Sequence, residues 1–129
     1  MADSVVHFEM PYDDADRART FYGDVFGWQI QPMPEFDYNF VQTGATGEDG
    51  MPSDRGYIGG GMAQRSKDFE RPVITIAVDD MDAALEKVSS VGGSPVGEPM
   101  KVGEMGIAGY FTDPEGNVMG LWQSTGGPS

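Results

Sequence analysis

Apolar positions along the chain follow two periods. Ala18, Phe21, Tyr22, Val25 and Phe26 recur at spacings of three and one, and Met81, Ala84, Leu85, Val88 and Val91 do nearly the same. Each set marks an amphipathic helix with one apolar stripe to bury. Asp14 and Asp80 stand where a side-chain oxygen can accept from the free first-turn amides, and Asp16 and Asp82 add negative charge where the helix dipole favours it. Gly27 and Gly92/Gly93 follow as stop signals. Elsewhere the apolar runs are short and bounded by Gly or Pro. They predict strands at Val5–Met10, Trp28–Gln31, Tyr38–Thr43 and Tyr57–Met62, then at Val73–Val78, Ser94–Val96, Ile107–Thr112 and Val118–Gln123. The Asp113-Pro114-Glu115-Gly116-Asn117 segment predicts the turn of a hairpin.

The two helical segments also match each other without gaps at an offset of 66 residues. Asp14 maps to Asp80, Asp16 to Asp82, Ala18 to Ala84, Val25 to Val91 and Gly27 to Gly93. The order is therefore βαβββ, written twice. A single α+β domain is expected, with module 1 at about 4–63, a linker at about 64–71 and module 2 at about 72–124. The acidic, Gly-rich segment 44–56 reads as a loop, and the basic run in the linker reads as solvated.

Composition narrows the function classes. A chain of 129 residues with 39% apolar positions is long enough for one domain with one main core. Eight Lys and Arg against 21 Asp and Glu give a formal charge of -13, which repels a phosphate backbone, so no nucleic-acid partner is expected. With no Cys there is neither a disulfide nor a thiolate nucleophile. No apolar run approaches the length of a membrane span, and the N-terminus lacks a basic segment followed by a long apolar run. No membrane partner is expected, and a cytoplasmic location is.

The sequence resembles the vicinal oxygen chelate superfamily, the glyoxalase/bleomycin-resistance/dioxygenase group. The matching residues are His7-Phe8-Glu9-Met10, Asp14, Arg17-Ala18, Phe21-Tyr22 and Val25-Phe26-Gly27-Trp28. In the second half they are Val78-Asp79-Asp80-Met81-Asp82, Gly92-Gly93 and Tyr110-Phe111-Thr112-Asp113-Pro114-Glu115-Gly116-Asn117. The resemblance implies two βαβββ modules forming a curved eight-stranded mixed sheet with helices outside and a cavity within, often in a homodimer. It also implies a divalent metal held by a His on the first strand of a module and a Glu near its end, from both modules. His7 occupies the first of these positions. Its counterpart is Val73, the terminal Glu of module 2 falls at Gly120, and that of module 1 falls within Gly59-Gly60-Gly61-Met62. One ligand position of four keeps a donor, so no cofactor is expected; a divalent metal would have to use His7 with Glu9.

His7 and Glu9 alternate onto one strand face and form the candidate acid–base pair, the carboxylate being expected to raise the imidazole pKa. Candidate ligand-binding residues are Tyr38, Phe40, Tyr57, Met62, Tyr110, Gly120 and Trp122, for which core packing or a dimer seam is the competing reading. If Gly120 faces inward, so does Trp122, and the missing side chain leaves room beside it. Phe21, Tyr22 and Phe26 are expected to pack helix to sheet. Gly59-Gly60-Gly61 lacks the Lys-Ser/Thr of a phosphate loop and reads as a tight strand, bulge or close backbone approach. The function expected is small-molecule binding in the cavity between strands without the full metal site. The alternative is a lyase or isomerase of glyoxalase type, using a reduced metal site or His7 and Glu9.

Overall fold

A computed structural model describes residues 3–44 and 58–125. The chain forms two compact units, one from His7 to Pro72 and the other from Val73 onward together with the residues before His7.

In the first unit β1 (Val5–Tyr12) leads into α1 (Ala15–Phe26), followed by β2 (Gln29–Met33), a 3-10 turn at Pro34–Phe36, β3 (Tyr38–Gln42) and β4 (Gly60–Gln64). β2 pairs antiparallel with β3, β3 antiparallel with β4, and β4 parallel with β1. The second unit repeats this order. β5 (Val73–Ala77) precedes α2 (Met81–Ser90), then come β6 (Ser94–Pro95), β7 (Met100–Val102), β8 (Gly106–Thr112) and β9 (Val118–Ser124). β5 pairs parallel with β9, which pairs antiparallel with β8. The chain thus carries the βαβββ arrangement twice, each copy a mixed sheet with one helix.

The count is nine strands rather than eight among the described residues. β6 and β7 both pair antiparallel with β8, so they are one rim strand in two pieces. The Val96 amide still donates to the Tyr110 carbonyl at 2.9 Å, and Gly97 at φ 68 then turns the backbone out of the ladder. Pro95 stands in the first piece, as Pro32 does in β2, the rim strand of the other unit.

Both helices start as the sequence requires. Asp14 accepts from the Arg17 amide at 3.0 Å and Asp80 from the Ala83 amide at 3.0 Å, each satisfying a first-turn donor. Gly27 closes α1 at φ 73, with its amide donating back to the Gly23 carbonyl. The hairpin turn is held by Asp113, whose Oδ1 accepts from the Glu115 and Asn117 amides at 2.8 and 2.9 Å. The linker is tied down by an Arg65–Asp13 ion pair of 2.9 Å and an Arg65 bond to the Glu70 carbonyl.

The helices differ in what they bury. α2 closes a core of Val78, Met81 and Leu121 flanked by Ile76, Ala84, Leu85, Ile107 and Phe111. No residue of α1 is buried, and Phe21, Val25 and Phe26 are exposed, which corrects the assignment of Phe21 and Phe26 to helix-to-sheet core. Tyr22 turns inward and stacks on Trp28 at 5.0 Å, with Trp28 against Phe8 at 5.9 Å, and Arg19 reaches Asn39 of β3. On the sheet face that carries Phe8, Val41 and Met62 are the buried side chains. Among the described residues no helix is long and apolar enough to cross a membrane.

Candidate functional site

The first unit's sheet presents two unlike faces. The registers Glu9↔Gly61 and Gly61↔Phe40 carry the His7/Glu9 face of β1 across β4 and β3, and alternation along β3 adds Tyr38. The opposite face carries Phe8, Val41, Asn39 and Met62 on the side of α1. There Asn39 donates to Tyr12 Oη at 3.0 Å and accepts from Arg19 at 3.1 Å. Met62, 1% exposed, is therefore core under α1 rather than a ligand-facing residue, because its register partners Met10 and Asn39 point the same way.

On the helix-free face Tyr38 joins His7 to Glu9. Its hydroxyl donates to Glu9 Oε2 at 2.7 Å and lies 3.1 Å from His7 Nε2. A phenol has one proton. With that proton given to the carboxylate, the oxygen accepts from the imidazole, so His7 carries its hydrogen on Nε2 and leaves Nδ1 bare. Phe40 meets the Tyr38 ring edge to face at 5.8 Å.

Tyr38 reaches this place because residue 61 is glycine. A Cβ there would fall inside the phenol, against Oη, Cζ and Cε2. The run Gly59-Gly60-Gly61 is thus a close approach: Gly60 takes the end of the Phe8 ring on one face and Gly61 takes Tyr38 on the other.

Burial of the ring pushes the His7 imidazole below the ordinary histidine value, outweighing the Glu9 carboxylate, which pulls it up. This reverses the expected rise. Glu9 is itself buried, so little water attenuates its attraction for a positive charge on the ring, yet desolvation of the ring still dominates. A histidine held low folds in its neutral form, while the unfolded chain binds a proton below about pH 6.5. Stability should therefore fall as pH drops through that value and level off once the folded imidazole protonates. His7 is the sole histidine, so urea unfolding between about pH 5.5 and 7.5 isolates it. The slope seen in the wild type should vanish in His7→Asn; a slope that survives would contradict the assignment.

The second unit shows what became of the other positions. The 66-residue offset maps Glu9 to Thr75, and Thr75 pairs with Gly120 as Glu9 pairs with Gly61. Gly120 and Gly61 are thus equivalent. A Cβ at Gly120 would lie 2.8 Å from Thr75 Oγ1, so the buried Thr75 side chain crowds the space beside Gly120 that the sequence left open for a ligand. Tyr110, paired with Gly120, and Trp122, two residues on, share its face, away from the α2 core that Leu121 enters. Tyr57 lies outside the described residues.

Among the described residues the donor set does not fit a transition ion. Both module-terminal carboxylate positions are glycines occupied by neighbouring side chains, and the phenol between His7 and Glu9 is already engaged with both. Among the described residues no three His, Asp or Glu converge. A shallow groove along α1, lined by Asp16, Arg17, Phe21 and Val25 among others, lies on the other side of this unit's sheet from His7.

Sequence reasoning missed the bridging role of Tyr38 and the position of Thr75. The first needed the strand register. The second was available from the internal repeat, which aligns Thr75 with Glu9.

The family described as bleomycin resistance protein-like N-terminal matches residues 4–44. The protein of Mycobacterium tuberculosis (strain CDC 1551 / Oshkosh) named "Putative glyoxylase CFP32" is 32% identical over 113 residues, covering 86% of this chain and 42% of its own length. The chain thus spans less than half of that relative. Among solved structures, a variant methylmalonyl-CoA epimerase of Streptomyces coelicolor in complex with 2-nitronate-propionyl-CoA superimposes with TM-score 0.66 at 16% identity, covering 100% of this chain and 99% of that one. A glyoxalase/bleomycin resistance protein/dioxygenase superfamily member from Vibrio splendidus 12B01 does so with TM-score 0.59 at 15% identity, covering 95% and 99%. These likenesses establish the fold.

Proposed function

Because the chain belongs to the vicinal oxygen chelate superfamily, the glyoxalase/bleomycin-resistance/dioxygenase group, we propose that it is a glyoxalase-like member that binds a small organic molecule without a metal. The ligand is placed on the helix-free face of the first unit's sheet, against His7, Glu9, Tyr38 and Phe40. The observation that carries this reading is the filling of both carboxylate positions, Gly61 by Tyr38 and Gly120 by Thr75, while a polar chain and an aromatic pair are kept on the same face as His7. Loss of metal donors with retention of the rest of the surface suits recognition by hydrogen bonds and ring contacts.

Metal analysis of the purified protein, combined with thermal unfolding, tests it. Zn, Ni and Mn should be well below stoichiometric, and a chelator should leave the Tm unchanged. A stoichiometric ion whose removal lowers the Tm would sink the proposal.

A second reading, an enzyme of lyase or isomerase type, is favoured by one observation: a neutral His7 with a bare Nδ1 is in the form a general base requires. In that reading His7 takes a proton from the substrate and Glu9, through Tyr38, steadies the charge left on the ring. If His7→Ala left every ligand response and any turnover unchanged, this reading would lose its basis.

A further inference from the structure

We infer that the Glu9–Tyr38–His7 chain fixes the hydrogen-bonding polarity of this face, so that it selects ligands that donate a hydrogen bond to His7 Nδ1 and rejects ligands that can only accept one. The inference rests on the reading of this face as a ligand site and names the class of ligand it takes.

The direction of the chain is set at the Glu9 end. A carboxylate only accepts, so the Tyr38 proton points to Glu9 at 2.7 Å, and the phenol oxygen can then only accept from His7 at 3.1 Å. The imidazole has no remaining choice of tautomer. Its ring is half-buried, and among the described residues Nδ1 has no hydrogen-bond partner. What the ring offers a ligand is therefore a lone pair, next to a buried carboxylate, on a chain of charge -13.

A carbonyl or carboxylate brought to Nδ1 would set lone pair against lone pair and leave both groups desolvated and unpaired. An N–H or O–H would satisfy both. The edge-to-face Tyr38–Phe40 pair adds ring surface suited to a planar molecule. The ligand class is thus a planar organic molecule bearing an amide, phenol or heterocyclic donor. Tyr38 is a positioning residue in this scheme: it acts on the ligand through His7.

The same logic makes the polarity reversible. In Glu9→Gln the new amide can donate to Tyr38 Oη, which frees the phenol proton to point at His7 Nε2 and moves the imidazole hydrogen to Nδ1. The surface would then favour acceptors.

Long-range proton–nitrogen NMR of the single histidine tests this directly, with indole against N-methylindole and benzamide against N,N-dimethylbenzamide as probes. The wild type should show the Nε2–H tautomer, and the methylated probes should bind roughly tenfold more weakly than their parents. Glu9→Gln should move the spectrum to the Nδ1–H tautomer and remove that preference. Tyr38→Phe, which cuts the chain without changing the ring, should give a mixture of tautomers and also remove it, and it decides the matter if Glu9→Gln does not fold. A wild-type Nδ1–H tautomer, or methylated probes that bind as well as their parents, would overturn the inference while leaving the binding reading intact. If no probe perturbs the residues of this face, the binding reading fails and the inference falls with it.

Discussion

Gly61→Ala should lower the unfolding free energy by about 3 kcal/mol, a large loss for a single methyl group. The added Cβ falls inside the Tyr38 phenol, and overpacking of this kind costs about 1–3 kcal/mol. Tyr38 is the far end of a movable side chain, so part of the clash can be relieved by rotation. Rotation, however, breaks the bond to the Glu9 carboxylate, and a hydrogen bond to a charged group contributes about 1.5–3 kcal/mol. Removing the phenol removes the conflict. The double variant Gly61→Ala/Tyr38→Ala should therefore be more stable than the sum of the single losses predicts, with a coupling of about 1–3 kcal/mol in urea unfolding. Additive losses would mean that residue 61 is not glycine on account of Tyr38.

The second large effect separates two helices that look alike in sequence. Met81→Ala should cost about 3 kcal/mol, because Met81 is 2% exposed among Val78 and Leu121 and truncation leaves a cavity in that core. Phe21→Ala on α1 should cost less than about 1 kcal/mol, since Phe21 is 53% exposed and loses few contacts. Comparison of the two urea midpoints at unchanged m checks the contrast. Equal losses would mean that α1 is as firmly packed as α2.

The features legible in the sequence were those that local chemistry decides. Asp14 and Asp80 cap because their own first-turn amides need an acceptor, and the Asp113 turn closes through residues two and four positions on. Short apolar runs bounded by Gly or Pro marked the strands, and alternation alone put His7 and Glu9 on one face. Illegible features depended on distant partners. Whether the apolar stripe of α1 is buried depends on how much sheet lies beneath it, which Phe21 and Phe26 do not disclose. That a phenol stands between His7 and Glu9 requires β3 beside β4 in a given register, and the lowered imidazole requires knowing how deeply the ring is desolvated. The break between β6 and β7 turns on Gly97 at positive φ, one glycine among 19.

That interrupted rim has a bearing on how the protein behaves when concentrated. A long straight outer strand would present a continuous row of amides and carbonyls on which a stray chain could nucleate a fibril. Here one outer strand is snapped in two with Pro95 in its first piece, and the other carries Pro32, so each rim lacks a donor where an incoming strand would need one. Both flanks are thereby poor seeds for amyloid growth.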